Sequence, residues 1–399
     1  MSLANGRSYL AIPGPSVMPD RVLQAMHRPA PNIYSGELVD LVASVVPDLK
    51  AIAGTNHNVA IYIANGHGIW EAALANTLAP GETVLALATG RFGAGWAEMA
   101  ARIGINPRVL DFGLSATYDL EVIKEVLRAD TECEIKAITT VQVDTSTSVR
   151  NDIKALRDAI DEVGHPALLM VDCIACLGCE EFRMDDWGVD VMIAASQKGL
   201  MTPPGVGFVF FGPKAAEARN GLNQISAYWD WNPRANPDEF YQYFAGTAPT
   251  HHLFALREAL TMLVHEEGLE NAYARHKTLA RAVWAALEAW GKEGSIALNI
   301  ADESLRSFVV TSVNIDAPNA TALRDYLTEN LGVTLGIGLG MAPSGSPEWH
   351  GHFRIGHMGH VNAHMVLGVI GCIDAGLKAL NIQHGSGAMD AAVRVIAEA

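Results

Sequence analysis

Apolar and polar positions alternate between two kinds of segment through the first half of the chain. Short β-type runs occur at Val59–Ile63, Val84–Ala88, Ile135–Val143, Ala167–Val171, Val189–Ala195 and Val206–Phe211. Between them lie segments whose apolar residues recur at helical spacing: Ile69–Leu78, Trp96–Ile103, Leu120–Leu127 and Ile153–Val163. This alternation predicts an α/β fold with a mostly parallel sheet covered by helices on both faces. Only the short turn Thr202-Pro203-Pro204-Gly205 separates the last two runs, too little for a parallel crossover, so one antiparallel strand is expected there. The polar and aromatic stretch Tyr228–Phe244 reads as a long loop rather than a core element.

From His252 to Trp290 the pattern is helical. A second, smaller α/β unit follows, with strands at Phe308–Val313 and Phe353–Ile355 and helices at Thr321–Leu331 and Met365–Leu377. A turn at Gln383–Gly387 precedes a short last helix. No internal repeat or low-complexity linker interrupts the chain. The expected organisation is an N-terminal arm over 1–20, a large domain over 21–255 and a small C-terminal domain over 256–399.

Two of the predicted strands end in residues that a buried strand end does not tolerate without partners. Ala167–Val171 runs into Asp172, and Val189–Ala195 runs into Ser196-Gln197-Lys198-Gly199. Singly, each residue reads as a turn former or a loop residue. Together, at the carboxyl ends of successive strands, they lie where open α/β sheets bind ligands. Pyridoxal phosphate supplies a partner to both: its aldehyde takes a lysine as a Schiff base, and its pyridinium nitrogen takes an aspartate. Asn65-Gly66-His67-Gly68, between a strand and a helix, adds a helix start suited to a phosphate. It matches neither a dinucleotide fingerprint nor a Walker loop.

The formal net charge of −16 argues against nucleic acid and against an anionic membrane surface. No run approaches the length of a membrane span, and the N-terminus carries no signal-peptide pattern, so a cytoplasmic location is expected. The cysteines number five, which does not suggest a disulfide framework. Cys173, Cys176 and Cys179 have a spacing seen in metal sites, but no fourth Cys or His lies close by in sequence. Their small apolar neighbours fit packing equally well, and no metal is expected.

Several blocks, taken in order, carry a resemblance over nearly the whole chain. They are Pro13-Gly14-Pro15, Gly68-Ile69-Trp70-Glu71-Ala72-Ala73-Leu74, Gly164-His165-Pro166, Ser196-Gln197-Lys198-Gly199-Leu200-Met201, Glu267-Gly268-Leu269-Glu270-Asn271 and Phe353-Arg354-Ile355-Gly356-His357. The chain resembles the class V, fold-type I pyridoxal-phosphate aminotransferases of the serine–glyoxylate and alanine–glyoxylate branch. The resemblance implies a seven-stranded-type sheet in the large domain. It also implies a homodimer with shared active sites, and transamination between a small amino acid (alanine or serine) and a small 2-oxo acid (glyoxylate or pyruvate).

Residue by residue, the resemblance makes Lys198 the Schiff-base lysine and Asp172 the pyridinium partner. It places the rings and side chains of Phe92 and Ile174 on the two faces of the cofactor. Gly66, His67 and Gln197 take the phosphate side, joined by Thr247 from the neighbouring subunit. Ser146 falls near the ring hydroxyl, within a polar loop of several candidate side chains. Arg354 holds the substrate carboxylate, and Tyr34 lies on the amino-donor side. The chain departs from its serine–glyoxylate relatives at Ile33-Tyr34-Ser35, Val143–Ser148 and Gly246-Thr247-Ala248-Pro249, loops that line the donor side in the family. This leaves aspartate, ureidoglycine or pyridoxamine open as donors. A cysteine-desulfurase-like lyase would need Cys372 as nucleophile. A non-catalytic scaffold would be expected to lose Lys198, Asp172 or Arg354, and all three are present.

Overall fold

The computed structural model describes residues 2–399. Seven strands form the larger sheet, in spatial order Asn58–Tyr62, Gly207–Phe211, Val191–Ala195, Leu168–Asp172, Ile135–Val141, Thr83–Ala88 and Asn106–Asp111. All run parallel except Gly207–Phe211, which is antiparallel to both of its neighbours. The short return through Thr202–Gly205 has the consequence expected of it.

The sheet is covered on both faces, which explains why its central strands are apolar without alternation. Val59, Ile61, Leu169, Met192, Phe208 and Phe210 pack with the helices Glu37–Ala53, Leu120–Ala129, Ile153–Val163 and Thr250–Leu260. Their chain neighbours Ala60, Tyr62, Met170, Ile193, Val209 and Phe211 pack on the other face, against Gly66–Ala75 and Arg91–Arg102.

Several elements are absent from the sequence pattern, among them an edge strand and a long helix. Asn106–Asp111 is an edge strand with mostly exposed side chains and a proline, so no apolar run announces it. Glu37–Ala53 is a helix whose Leu38, Val42, Val45, Leu49 and Ile52 recur at helical spacing and are buried. Its interior Pro47 is the residue that speaks against a helix there.

The reading of Tyr228–Phe244 as a loop outside the core is corrected. Trp231, Arg234 and Phe244 are almost fully buried, and the segment contains short helical turns at Asn232–Ala235 and Phe240–Phe244. Trp231 stacks on Phe211 with ring centroids 4.2 Å apart. Arg234 lies over the Tyr62 ring at 4.3 Å and donates to the carbonyl oxygens of Ile61 at 2.9 Å and Tyr228 at 2.7 Å. The aromatic residues of this stretch are thus in good part spent on the chain's own sheet. Trp231→Ala is expected to destabilise by about 3–5 kcal/mol, the cost of emptying a buried Trp site, read as a lower urea midpoint. An unchanged midpoint would show that the stack contributes nothing.

The smaller sheet has the order Tyr9–Ala11, Val333–Ile337, His352–Gly356, Val310–Asn314 and Ala297–Leu298. Tyr9–Ala11 pairs parallel with Val333–Leu335, so the start of the chain is tied into the same layer as its end. Helices Leu269–Trp290, Ala363–Ala379 and Ala388–Ala397 share a core with this sheet. Among the described residues no helix is long and apolar enough to cross a membrane.

Candidate active site

Because most strands of the larger sheet run in one direction, their carboxyl ends open onto one place. Five strand ends contribute: Asn65-Gly66-His67 after Asn58–Tyr62, Phe92 after Thr83–Ala88, Val143 and Thr145 after Ile135–Val141, Asp172, and Gln197-Lys198 after Val191–Ala195. They enclose a pocket of about 250 Å³, closed on another side by Gly14 and Pro15. Of the residues singled out from sequence, the structure brings together Lys198, Asp172, Gly66, His67, Phe92, Ile174 and Gln197.

Asp172 is 5% exposed. Its Oδ2 accepts from the Trp70 indole N–H at 2.6 Å and its Oδ1 from the Ile174 N–H at 2.7 Å. Burial is the dominant influence on its carboxyl and raises it from 3.8 to about 6, against the pull of those two donors and of Lys198. Each oxygen keeps capacity for a further donor.

Lys198 is half-buried as a residue, but its amine is enclosed at the inner end, where it donates to the Pro13 carbonyl oxygen. Desolvation, then the positive charge of Arg354, lower its amine from 10.5 to about 8, with Asp172 opposing. Gly14 has φ +97°, and a methyl group there would fall 2.2 Å from Nζ. Only glycine fits this approach. Ser16 fastens the same turn, its hydroxyl donating to the Lys198 carbonyl at 2.7 Å.

The helix Gly66–Ala75 begins at the pocket wall, with Asn65 Oδ1 accepting from the Gly68 N–H at 3.3 Å. Its first N–H groups have no carbonyl partners within the helix and form a natural anion site. The Gln197 side-chain oxygen, on the same pocket, is buried without a hydrogen-bond partner. Gly66 gives room to Ile174, whose Cδ1 would be 2.7 Å from an added Cβ.

Arg354, 6% exposed on His352–Gly356, stands just behind this wall. Its Nε donates to the Ile337 carbonyl at 2.7 Å and one Nη to the carbonyl of Thr145 at 2.8 Å, a pocket-lining residue. Burial lowers its guanidinium to about 10, with Asp144 opposing. A cation at this depth held by backbone carbonyls favours an anionic ligand.

Three other sequence candidates lie off the wall. Ser146 is buried, its hydroxyl donating to Asp144 at 2.5 Å and accepting from the Arg91 N–H at 2.9 Å. Of that polar loop, Thr145 faces the pocket. Thr247 and Tyr34 are exposed, Tyr34 at 85%, and neither reaches the pocket of its own chain.

Sequence reasoning missed Trp70 and Asp144. Trp70 stands inside a quoted block, but nothing local shows that its N–H meets Asp172. Asp144 caps the Arg91–Arg102 helix, one oxygen accepting from the N–H groups of Phe92 at 2.9 Å and Gly93 at 3.2 Å, and so fixes Phe92 at the pocket.

Cys173, Cys176 and Cys179 are buried, and burial pushes all three thiols up. Among the described residues no three His, Cys, Asp or Glu side chains are grouped to hold a metal. Cys372 lies on Ala363–Ala379 and does not line the pocket.

The family model for class-V aminotransferases matches residues 49–356. The chain is 38% identical to the serine–glyoxylate aminotransferase of Methylorubrum extorquens, over 96% of this chain and 94% of the relative. It is 32% identical to the L-aspartate–glyoxylate aminotransferase of Paracoccus denitrificans, over 94% of this chain and 93% of that one. The crystal structure of ureidoglycine–glyoxylate aminotransferase from Bacillus subtilis superposes with a TM-score of 0.88 at 27% identity, covering both chains completely. With the matched segment spanning most of the chain and the likeness running through the strand ends that build the pocket, the chain belongs to the class-V aminotransferase family.

Proposed function

We propose that this protein transfers an amino group between a small amino acid and a small 2-oxo acid, with alanine or serine as donor and glyoxylate or pyruvate as acceptor. The observation that carries this reading is the convergence of Lys198 and Asp172 on one pocket beside a free helix N-terminus. Pyridoxal phosphate fits the residues present. Lys198 would hold its aldehyde carbon, Asp172 its ring nitrogen, and Gly66, His67 and Gln197 its phosphate, with the first N–H groups of the Gly66–Ala75 helix as donors. Phe92 and Ile174 would flank the ring, while Ser146 acts only through Asp144, which caps the helix that carries Phe92.

When bound, the cofactor supplies an electron sink for the pair left by the substrate's α-hydrogen. The chain supplies the proton handling. Lys198, its amine already weakened as a base by burial, would take the substrate's α-proton and hold it for return. Asp172 would favour a proton on the ring nitrogen of the bound group. Arg354 orients the substrate through its carboxylate.

Glyoxylate as acceptor is supported by the names of the relatives from Methylorubrum and Paracoccus and by the small pocket. These relatives differ in donor, and the Ile33–Ser35, Val143–Ser148 and Gly246–Pro249 loops are where this chain departs from the serine–glyoxylate pattern. Half-reactions with alanine, serine and aspartate, followed by glyoxylate or pyruvate, test the assignment. Failure of every donor to bleach the cofactor would overturn it. In this reading the active unit is a cytoplasmic homodimer in which Thr247 reaches the phosphate of the neighbouring subunit. A fully active monomer in sedimentation would exclude that.

Arg354→Lys is expected to weaken alanine and glyoxylate binding by about tenfold or more, because a point charge does not reproduce a planar fork. Its cofactor spectrum should be retained. Equal apparent affinity in the alanine titration would refute the carboxylate role.

A further inference from the structure

A second cavity, of about 760 Å³, lies between the larger sheet's loops and the Leu269–Trp290 helix. It shares no lining residue with the Lys198 pocket. Gln142, Arg150 and Glu180 contribute from one side, Tyr273, Lys277 and Phe308 from the other.

Its charges are of both signs and incompletely matched. Glu180 is 4% exposed. Its Oε1 accepts from the Ser307 hydroxyl at 2.9 Å and the Phe308 N–H at 2.8 Å, while its Oε2 is buried with no partner. Burial raises its carboxyl, against the positive charge of Arg150 and the Ser307 and Phe308 donors. Arg150 donates to the Ser304 carbonyl at 2.8 Å and lies 4.9 Å over the Phe308 ring, and its Nε is buried without a partner. Lys277, exposed at the rim, has its Nζ 5.9 Å from the centre of the same ring. Among the described residues neither cation has a carboxylate oxygen within 4.0 Å. The rest of the wall is mixed: the carboxylates Asp152, Glu181 and Glu270 stand on it beside the apolar Ile153, Trp187, Leu305 and Phe308.

A simple anion would leave Glu180 unmet, and a simple cation would leave Arg150 unmet. A zwitterion satisfies both. The cavity is about three times the volume of the Lys198 pocket, which leaves room for a sizeable side chain. We propose that this cavity is a second ligand site that takes an α-amino acid with an apolar or aromatic side chain. Its carboxylate lies toward Arg150 and Lys277, its ammonium on Glu180, and its side chain against Trp187 and Phe308.

The cavity wall and the catalytic pocket are neighbours but separate. The Gln142 N–H donates to the Asp172 carbonyl at 2.9 Å. Cys179, on the cavity wall, has its Sγ only 2.7 Å from where a Cβ of Gly199 would stand, next to Lys198.

The test is equilibrium dialysis of the holoenzyme against L-leucine and L-phenylalanine, with the visible absorbance of the cofactor recorded in parallel. About one equivalent per chain should bind without changing that absorbance. 4-Methylpentanoate and 3-methylbutylamine, which each lack one charge, should bind about tenfold more weakly or worse. Glu180→Gln keeps the acceptor for Ser307 and should weaken leucine by about tenfold. Lys277→Met, at an exposed helix position that does not endanger folding, should weaken it several-fold. Both variants should keep the wild-type alanine half-reaction. Absence of saturable binding would overturn the proposal. So would binding that shifts the cofactor absorbance and is displaced by alanine, or unchanged leucine affinity in both variants. The dialysis count is independent of the donor assignment, so failure of one leaves the other standing.

Discussion

Lys198→Ala will reduce turnover by roughly four orders of magnitude, the upper range for loss of a positioned acid–base group. The fold should survive. The side chain is half-buried, the Gln197 carbonyl still accepts from the Ser16 N–H, and the Ser16 hydroxyl still anchors the turn at the Lys198 carbonyl. The measurement is twofold: steady-state transamination from alanine to glyoxylate, and peptide mass after borohydride reduction of the loaded protein. Wild type should gain the cofactor's mass on the peptide containing Lys198, and the variant on none. Near-normal turnover, or label on another lysine, would refute the assignment.

The environment of Lys198 adds a pH expectation. Moving the amine from 10.5 to about 8 raises its neutral fraction at pH 7 roughly 300-fold. Only the neutral amine attacks an aldehyde, so cofactor uptake by the stripped protein should accelerate as pH rises and level off above about 8. A rate still climbing tenfold per pH unit at pH 9 would show that burial does not tune this lysine.

Asp172→Asn is expected to cost roughly 10²–10³-fold in turnover, the magnitude of removing one preorganised electrostatic partner. The argument has a second part specific to this site. Both carboxylate oxygens accept a hydrogen bond, from Trp70 and from the Ile174 backbone. Asparagine offers one acceptor and one donor, so one of those N–H groups loses its partner. Trp70→Phe separates the effects. It keeps the charge but removes a donor that favours the ionised form, so the Asp172 carboxyl should move above about 6, and the acid limb of the pH profile should shift the same way. Activity of Trp70→Phe should therefore fall mainly on the acid side. Unchanged kinetics in Asp172→Asn would reduce the residue to a strand terminus.

The central strands were legible because each is buried on both faces, so its apolar character survives in any window of the chain. The same cause exposed Lys198 and Asp172, whose side chains are out of place at the ends of such strands unless something binds them. The helix start at Asn65–Gly68 was legible for a similar reason, since glycine and a capping residue between strand and helix act locally. Asn106–Asp111 was not legible, because an edge strand's pairing is supplied by one neighbour and leaves no apolar mark on the side chains. The Tyr228–Phe244 stretch misled because mixed polar and aromatic composition does not say whether Trp231 will find Phe211 or solvent.

By itself, then, the sequence determined the order and type of the central strands of the larger sheet, the return strand, and the pair of strand-end residues whose burial calls for a partner. Local spacing and local burial cost carry that information. Only the tertiary structure decided that Trp70 meets Asp172, that Asp144 caps the helix bearing Phe92, that Thr145 rather than Ser146 faces the pocket, and that Pro13–Pro15 closes it above Lys198. Trp70 and Asp172 lie 102 residues apart and Lys198 and Pro13 185 apart. Their contacts follow from strand order and from the tie between the first strand and the smaller sheet. Those are properties of the packed chain, set by which buried faces fit one another, and no periodicity within a single segment encodes them.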